Sequence, residues 1–132
     1  MITIASVILE NENGEILLML RDNKPNLPFP HHWDIFGGHV EEGETPEQAL
    51  VREVKEELNL DLNDYTFFRK YHCMHGDIHP NVKYIYTAKL TVPIEKLTLG
   101  EGEEMKLFNK ADIKKLKFAN IMGNIVMDYI DN

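Results

Sequence analysis

Three glutamates on one helix-forming stretch, Glu53, Glu56 and Glu57, carry the clearest chemistry in the chain. On a helix of about 3.6 residues per turn, positions i, i+3 and i+4 share a face, so these carboxylates project within about 100° of one another. Leu50, Val51, Val54 and Leu58 fall on the neighbouring arc and form an apolar stripe beside the acidic one. Like charges at this spacing repel by roughly a few tenths of a kcal/mol per pair, so an isolated helix gains nothing from them. A hard divalent cation reverses that sign. Carboxylate oxygens suit Mg²⁺ or Mn²⁺, with waters and substrate phosphates completing the coordination. A glutamate run by itself more often marks a solvated face, and the flanking residues are what tip the balance toward a metal site.

Those flanking residues define a rigid platform. Thr45 is suited to the N-cap, Pro46 to the first helical position, and Gln48 completes a capping box with Thr45. Glu47 in the first turn agrees with the helix dipole. Asn59 stands where a left-handed residue closes a helix. Gly37, Gly38 and Gly43 make the preceding loop permissive enough to bring its backbone close to a cation or a phosphate.

The spacing resembles a known signature. Gly38 is followed after five residues by Glu44, and after seven more by Arg52-Glu53-Val54-Lys55-Glu56-Glu57, with Leu60 closing the pattern. This is similar to the box of the Nudix (MutT-like) hydrolases, with Asn59 in place of the usual glycine at a helix end. The resemblance implies an α/β fold, a Nudix-type α/β/α sandwich around a mixed β-sheet, in one domain spanning residues 1–132. It implies hydrolysis of a diphosphate bond in a nucleoside diphosphate linked to another group, by water attack on phosphorus. Glu53, Glu56 and Glu57 are then expected to bind Mg²⁺ or Mn²⁺, with the Gly38 carbonyl as a further oxygen ligand. The alternative is a nucleotide-binding or regulatory module that keeps the fold without turnover. Retention of all three carboxylates speaks against it.

Other roles follow less directly. Arg52 precedes Glu56 by four residues, and a plain surface ion pair there is worth under about 1 kcal/mol. The resemblance instead has Arg52 and Glu44 tie the loop to the helix and orient the metal-binding carboxylates, with Glu44 able to assist a metal. On the run from Leu99 to Glu104, the resemblance maps a ligand or base onto Glu104, with Glu101 and Glu103 weaker candidates. A charged surface loop is the plain reading of that run. Glu53 or Glu57 could also take the proton. Phe36 is expected in the core. Arg21 is either a phosphate contact or a solvated strand end, and His31, His32 and His39 are candidates for touching substrate. His72, His75 and His79 surround Cys73 and Asp77, but Cys73 with His75 gives no established zinc spacing, so these histidines read as the rim of a pocket.

The whole chain fits one enzyme domain. Its 132 residues suffice for a core without staples. The net charge of −8 argues against polymeric nucleic acid or an anionic membrane as partner and makes a cation necessary beside any phosphate substrate. A nucleotide-type small molecule is the expected partner, and the protein a monomer or homodimer. Cys73 is the single cysteine, which excludes an internal disulfide, and no long apolar run or signal sequence opens the chain; a cytoplasmic setting is expected. Strands are expected at Ile2 to Leu9, Glu15 to Leu20, Trp33 to Phe36, Tyr65 to Met74, Val82 to Thr91 and Met105 to Phe108, with helices after Thr45, at Ala111 to Leu116 and at Ala119 to Ile130.

Overall fold

The first strand, β1 (Ile2–Glu10), runs through the middle of a seven-stranded mixed sheet. Asn11 turns the chain, its Oδ1 accepting from the Asn13 and Glu15 amides, and β2 (Ile16–Leu20) follows. β1 and β2 share only the register pair Glu10 with Ile16 and then diverge. The segment from Trp33 to His39 occupies the gap: β3 (Trp33–Asp34) pairs antiparallel with β2, and β4 (Phe36–His39) pairs antiparallel with β1. The computed structural model describes residues 1–75, 77 and 79–132.

Helix α1 (Pro46–Leu58) forms as its caps dictate. Thr45 accepts from the Gln48 amide, Gln48 reciprocates to the Thr45 amide, and Asn59 takes a left-handed φ of 53°. Its apolar stripe is Ala49, Leu50, Val54 and Leu58, all fully buried against Ala5, Val7, Leu17, Met19 and Phe36 on one sheet face. Val51, expected in the stripe, is only partly covered, and Ala49 takes its place. Truncating a residue such as Leu50 to alanine here costs about 2–5 kcal/mol.

The chain then adds β5 (Thr66–Cys73) and β6 (Asn81–Lys89), the latter parallel to β1 over its whole length. A loop leads to β7 (Glu104–Phe108), antiparallel to β2. Two helices cover the opposite sheet face. The first, α2 (Lys110–Ile113), is capped by Asn109 and ends before Leu116; the second, α3 (Met122–Ile130), starts later than Ala119. Both are shorter than the sequence pattern implies, because Leu116 and Ala119 pack from the intervening turns. Ile113, Met122, Ile125 and Val126 bury against Ile8, Leu18, Ile35 and Ile85. The result is an α/β/α sandwich around a mixed sheet. Among the described residues no helix is long and apolar enough to cross a membrane.

Candidate active site

The glycine turn of β4 lies against the acidic face of α1. The Gly37 amide donates to Glu57 Oε1 at 2.9 Å, and Glu57 is only 4% exposed. Burial lifts its carboxyl from the usual 4.5 to about 9, against the Gly37 hydrogen bond, and nearby Glu101, Glu53 and Asp34 push the same way. Glu53 is also raised, first by burial, although Arg52 pulls it back. Gly38 sits so close to the helix that an added Cβ would overlap the Glu53 carboxylate. Glu56, by contrast, is exposed. One acidic helix face therefore contains a buried, a half-buried and a solvated carboxylate.

Arg52 binds the loop to this face. Its Nε and Nη2 donate to the two carboxylate oxygens of Glu44 at 2.8 and 3.0 Å, Nη1 donates to Glu53 Oε1 at 3.0 Å, and Nη2 reaches the His39 carbonyl at 3.0 Å. Its contact with Glu56 is the longest of these, at 3.5 Å. Hydrogen bonding to Arg52 draws the Glu44 carboxyl down to about 2, and the same pair raises the Arg52 guanidinium further. A forked guanidinium holding one carboxylate on both oxygens fixes direction as well as distance, which a lysine does not reproduce.

The run after the third apolar strand does not deliver Glu104 to this place. Glu104 opens β7 opposite Leu20 and borders a separate depression with Trp33, Lys115 and Lys117. Glu103 accepts from the Asn23 amide at 2.8 Å and faces His31 at 3.6 Å, so it ties down the loop after β2. Glu101 borders the same cavity as Gly37 and Gly38, and its charge is felt by both Glu53 and Glu57. The backbone explains this choice. The Thr98 amide donates to the Leu58 carbonyl at 3.1 Å and the Gly100 amide to the Glu57 carbonyl at 2.7 Å, docking the loop on the open C-terminal end of α1.

Glu53, Glu56, Glu57 and the Gly38 carbonyl offer oxygen donors, which fit a hard divalent cation. Among the described residues no three acidic, histidine or cysteine side chains already form a metal cage. Glu53 instead turns to Arg52, and Glu57 to the Gly37 amide.

A NUDIX domain model matches residues 2–129 of the chain. The chain belongs to the NUDIX domain family. It is 39% identical to the 8-oxo-dGTP diphosphatase of Escherichia coli over 80 residues, a match covering 58% of this chain and 57% of that protein. It is 30% identical to the asymmetrical bis(5'-nucleosyl)-tetraphosphatase of Caenorhabditis elegans over 135 residues, covering 93% of this chain and 89% of that one. The chain thus spans little more than half of the first relative's length. In fold it is similar to the NUDIX domain of Shewanella oneidensis NrtR, solved with ADP ribose, at a TM-score of 0.82 and 18% identity, over 98% of this chain and 86% of that chain.

In this NUDIX domain the glycine turn forms one wall of a cavity of about 430 Å³. Arg21 lies on it, neither bare strand end nor free cation: Nη1 donates to Asp34 Oδ2 at 3.2 Å and Nε to the Pro28 carbonyl. His39 and His79 border the cavity; His72 and His75 are exposed, His32 is turned onto the Pro30 carbonyl, and Phe36 is in the core. The buried Cys73 thiol is held above its usual range by burial and contacts the Tyr71 carbonyl. Lys83 and Asn81, both buried on the cavity wall, were not singled out from sequence. A signal existed: Asn81 and Lys83 alternate with Ile85 on one face of a strand that runs through the sheet.

Proposed function

We propose that this protein is a divalent-cation-dependent NUDIX pyrophosphohydrolase cleaving a nucleoside diphosphate derivative at its diphosphate. The observation that carries the reading is the meeting of Glu57, Glu53 and the Gly37-Gly38 backbone in a space only glycine can leave open. Glu53, Glu56, Glu57 and the Gly38 carbonyl would hold Mg²⁺ or Mn²⁺, with Glu44 positioned through Arg52. When bound, the cation offsets phosphate charge and favours ionisation of a water. Without it, a carboxyl as strongly raised as that of Glu57 keeps its proton at neutral pH.

Glu101 is the best-placed general base in this reading. It borders the cavity and its charge acts on Glu53 and Glu57, whereas Glu104 borders a separate depression. Water attacks phosphorus, its proton passes to Glu101, the anhydride P–O bond breaks, and a phosphorylated leaving group departs. Names of relatives support nucleotides as the substrate class, among them an 8-oxo-dGTP diphosphatase and a nucleoside triphosphatase. The lone, buried Cys73 supports a reducing, cytoplasmic setting in this reading. The test is a panel of nucleoside triphosphates, nucleotide sugars, ADP-ribose and dinucleoside polyphosphates with Mg²⁺ or Mn²⁺ and product identification. Turnover that survives chelation would sink the reading.

A further inference from the structure

Five polar or charged side chains are buried in the described chain: Ser6, Asp34, Glu57, Asn81 and Lys83. Four of them line the single cavity that opens at Gly37 and Gly38, and the fifth, Glu57, holds the Gly37 amide at its mouth. Burying polar groups is costly, and a random scatter over the core would not collect them at one wall. Ile2, Ile4, Phe29, Ile35 and Met122 give the cavity apolar walls, and Arg21, His39, Glu101 and Asn120 are among the further polar groups on its lining. Its volume of about 430 Å³ falls within the usual range for small-ligand pockets. Apolar walls beside fixed, buried polar groups fit a flat heterocycle bearing a hydrogen-bonding edge.

These buried polar groups have a definite sense. Lys83 is fully buried, and its Nζ donates to Asp77 Oδ2 at 3.0 Å and Asn81 Oδ1 at 2.8 Å. An ammonium carries three donors and no acceptor, so one donor remains for a ligand and no lone pair does. Asp34 borders the same cavity. Its two oxygens take one hydrogen bond each, from the Ile35 amide at 2.8 Å and from Arg21 at 3.2 Å. A carboxylate has about four lone-pair sites, so acceptor capacity remains. Burial raises the Asp34 carboxyl to about 6, with Arg21 and Lys83 opposing, which leaves it mainly ionised at neutral pH.

Resting on the hydrolase reading, we infer that this cavity seats the nucleobase and selects bases with a lactam edge, Lys83 donating to the ring carbonyl and Asp34 accepting from the adjacent ring N–H. Guanine and uracil present such a carbonyl, whereas adenine and cytosine present an amino donor at the corresponding position. An amino group directed at Lys83 meets donor with donor and leaves both unpaired.

The test measures binding and turnover separately. Calorimetric titration of the full chain with GMP, UMP, AMP and CMP should give Kd values roughly tenfold or more lower for the first two. With Mg²⁺, kcat/KM should rank GTP and UTP above ATP and CTP in the same sense. Asp34→Asn and Lys83→Met should each shrink the ratio to within about threefold, and the wild-type comparison decides even if Lys83→Met does not fold. Equal binding of the four monophosphates, a preference for the amino bases, or no binding at all overturns the proposal. Equal, metal-dependent hydrolysis of all four triphosphates would overturn the base selection and leave the hydrolase reading standing. Selective GMP and UMP binding without any hydrolysis would do the reverse.

Discussion

The amide of Gly100 donates to the carbonyl of Glu57 at 2.7 Å, which holds the start of the 101–104 run against the end of α1. The carbonyl is one of those that a helix end leaves without an internal partner. Gly100 satisfies it at so short a range that a Cβ would lie 2.5 Å from the Glu56 carbonyl oxygen. The next residue, Glu101, is thereby carried to the cavity.

Glu101→Gln is expected to lower kcat by more than about tenfold with little change in Tm, since a solvated carboxylate adds little stability. Glu104→Gln should stay within about twofold of wild type. Steady-state rates with Mg²⁺ for the two variants provide the check, and the opposite ranking returns the role to β7.

Glu57→Gln should remove most turnover, about a hundredfold or more, without loss of fold. The amide oxygen can still accept from Gly37, and the amide is uncharged like the protonated carboxyl it replaces. Near wild-type kcat at saturating Mg²⁺ would discard this face as the metal site. Glu56→Gln is expected to act mainly through the metal concentration required, because its carboxylate is solvated.

The pH dependence has a definite sign. The Glu57 carboxyl rises from 4.5 to about 9 on folding and that of Asp34 from 3.8 to about 6, so the folded chain binds these protons more tightly than the unfolded one. Their contribution to stability is complete below the unfolded values and is lost as pH climbs through the folded ones. Metal-free Tm should therefore fall as pH rises from about 4 to about 9, and Glu57→Gln should flatten the part of that slope above pH 6. Binding of Mg²⁺ should strengthen over the same window and release a proton, measurable by titration calorimetry in buffers of different ionisation enthalpy.

Gly38→Val should abolish activity, because its Cβ and branches would displace the Glu53 carboxylate. Gly100→Ala should also impair turnover, by lifting the 98–103 loop from α1. Unchanged metal affinity and kcat in Gly38→Val would put the centre elsewhere.

Arg52→Lys should reduce kcat by about tenfold or more while Tm moves by only a few degrees. Lysine keeps the charge but cannot span both Glu44 oxygens, Glu53 and the His39 carbonyl together. Arg52→Lys with wild-type rates would reduce the arginine to a surface pair.

Much of the architecture was local and therefore legible. Thr45, Pro46, Gln48 and Asn59 specify α1 through neighbours within a turn, and each behaves in the fold as its chemistry demands. The period of the glutamates placed them on one face of the helix, and the interleaving of strands with a few helices implied a sheet with two covered sides. Local pattern overextended α2 and α3, where partly buried Leu116 and buried Ala119 pack from turns instead of helix.

Tertiary structure decided what the helical period could not. Whether a carboxylate on that face is buried depends on which strand crosses it, and β4 covers Glu57 while leaving Glu56 in solvent. Glu101 borders the cavity of Gly37 and Gly38 and Glu104 a separate one, next to a Gly100 amide that bonds a helix carbonyl far back in the chain, a pairing invisible to spacing along the loop. The cavity with Lys83 and Asp34 arises where β1 and β2 separate and admit β3 and β4. Sequence spacing encodes contacts within an element. Burial, and with it the proton affinity of every buried carboxyl, is set by elements that meet only after the chain has folded.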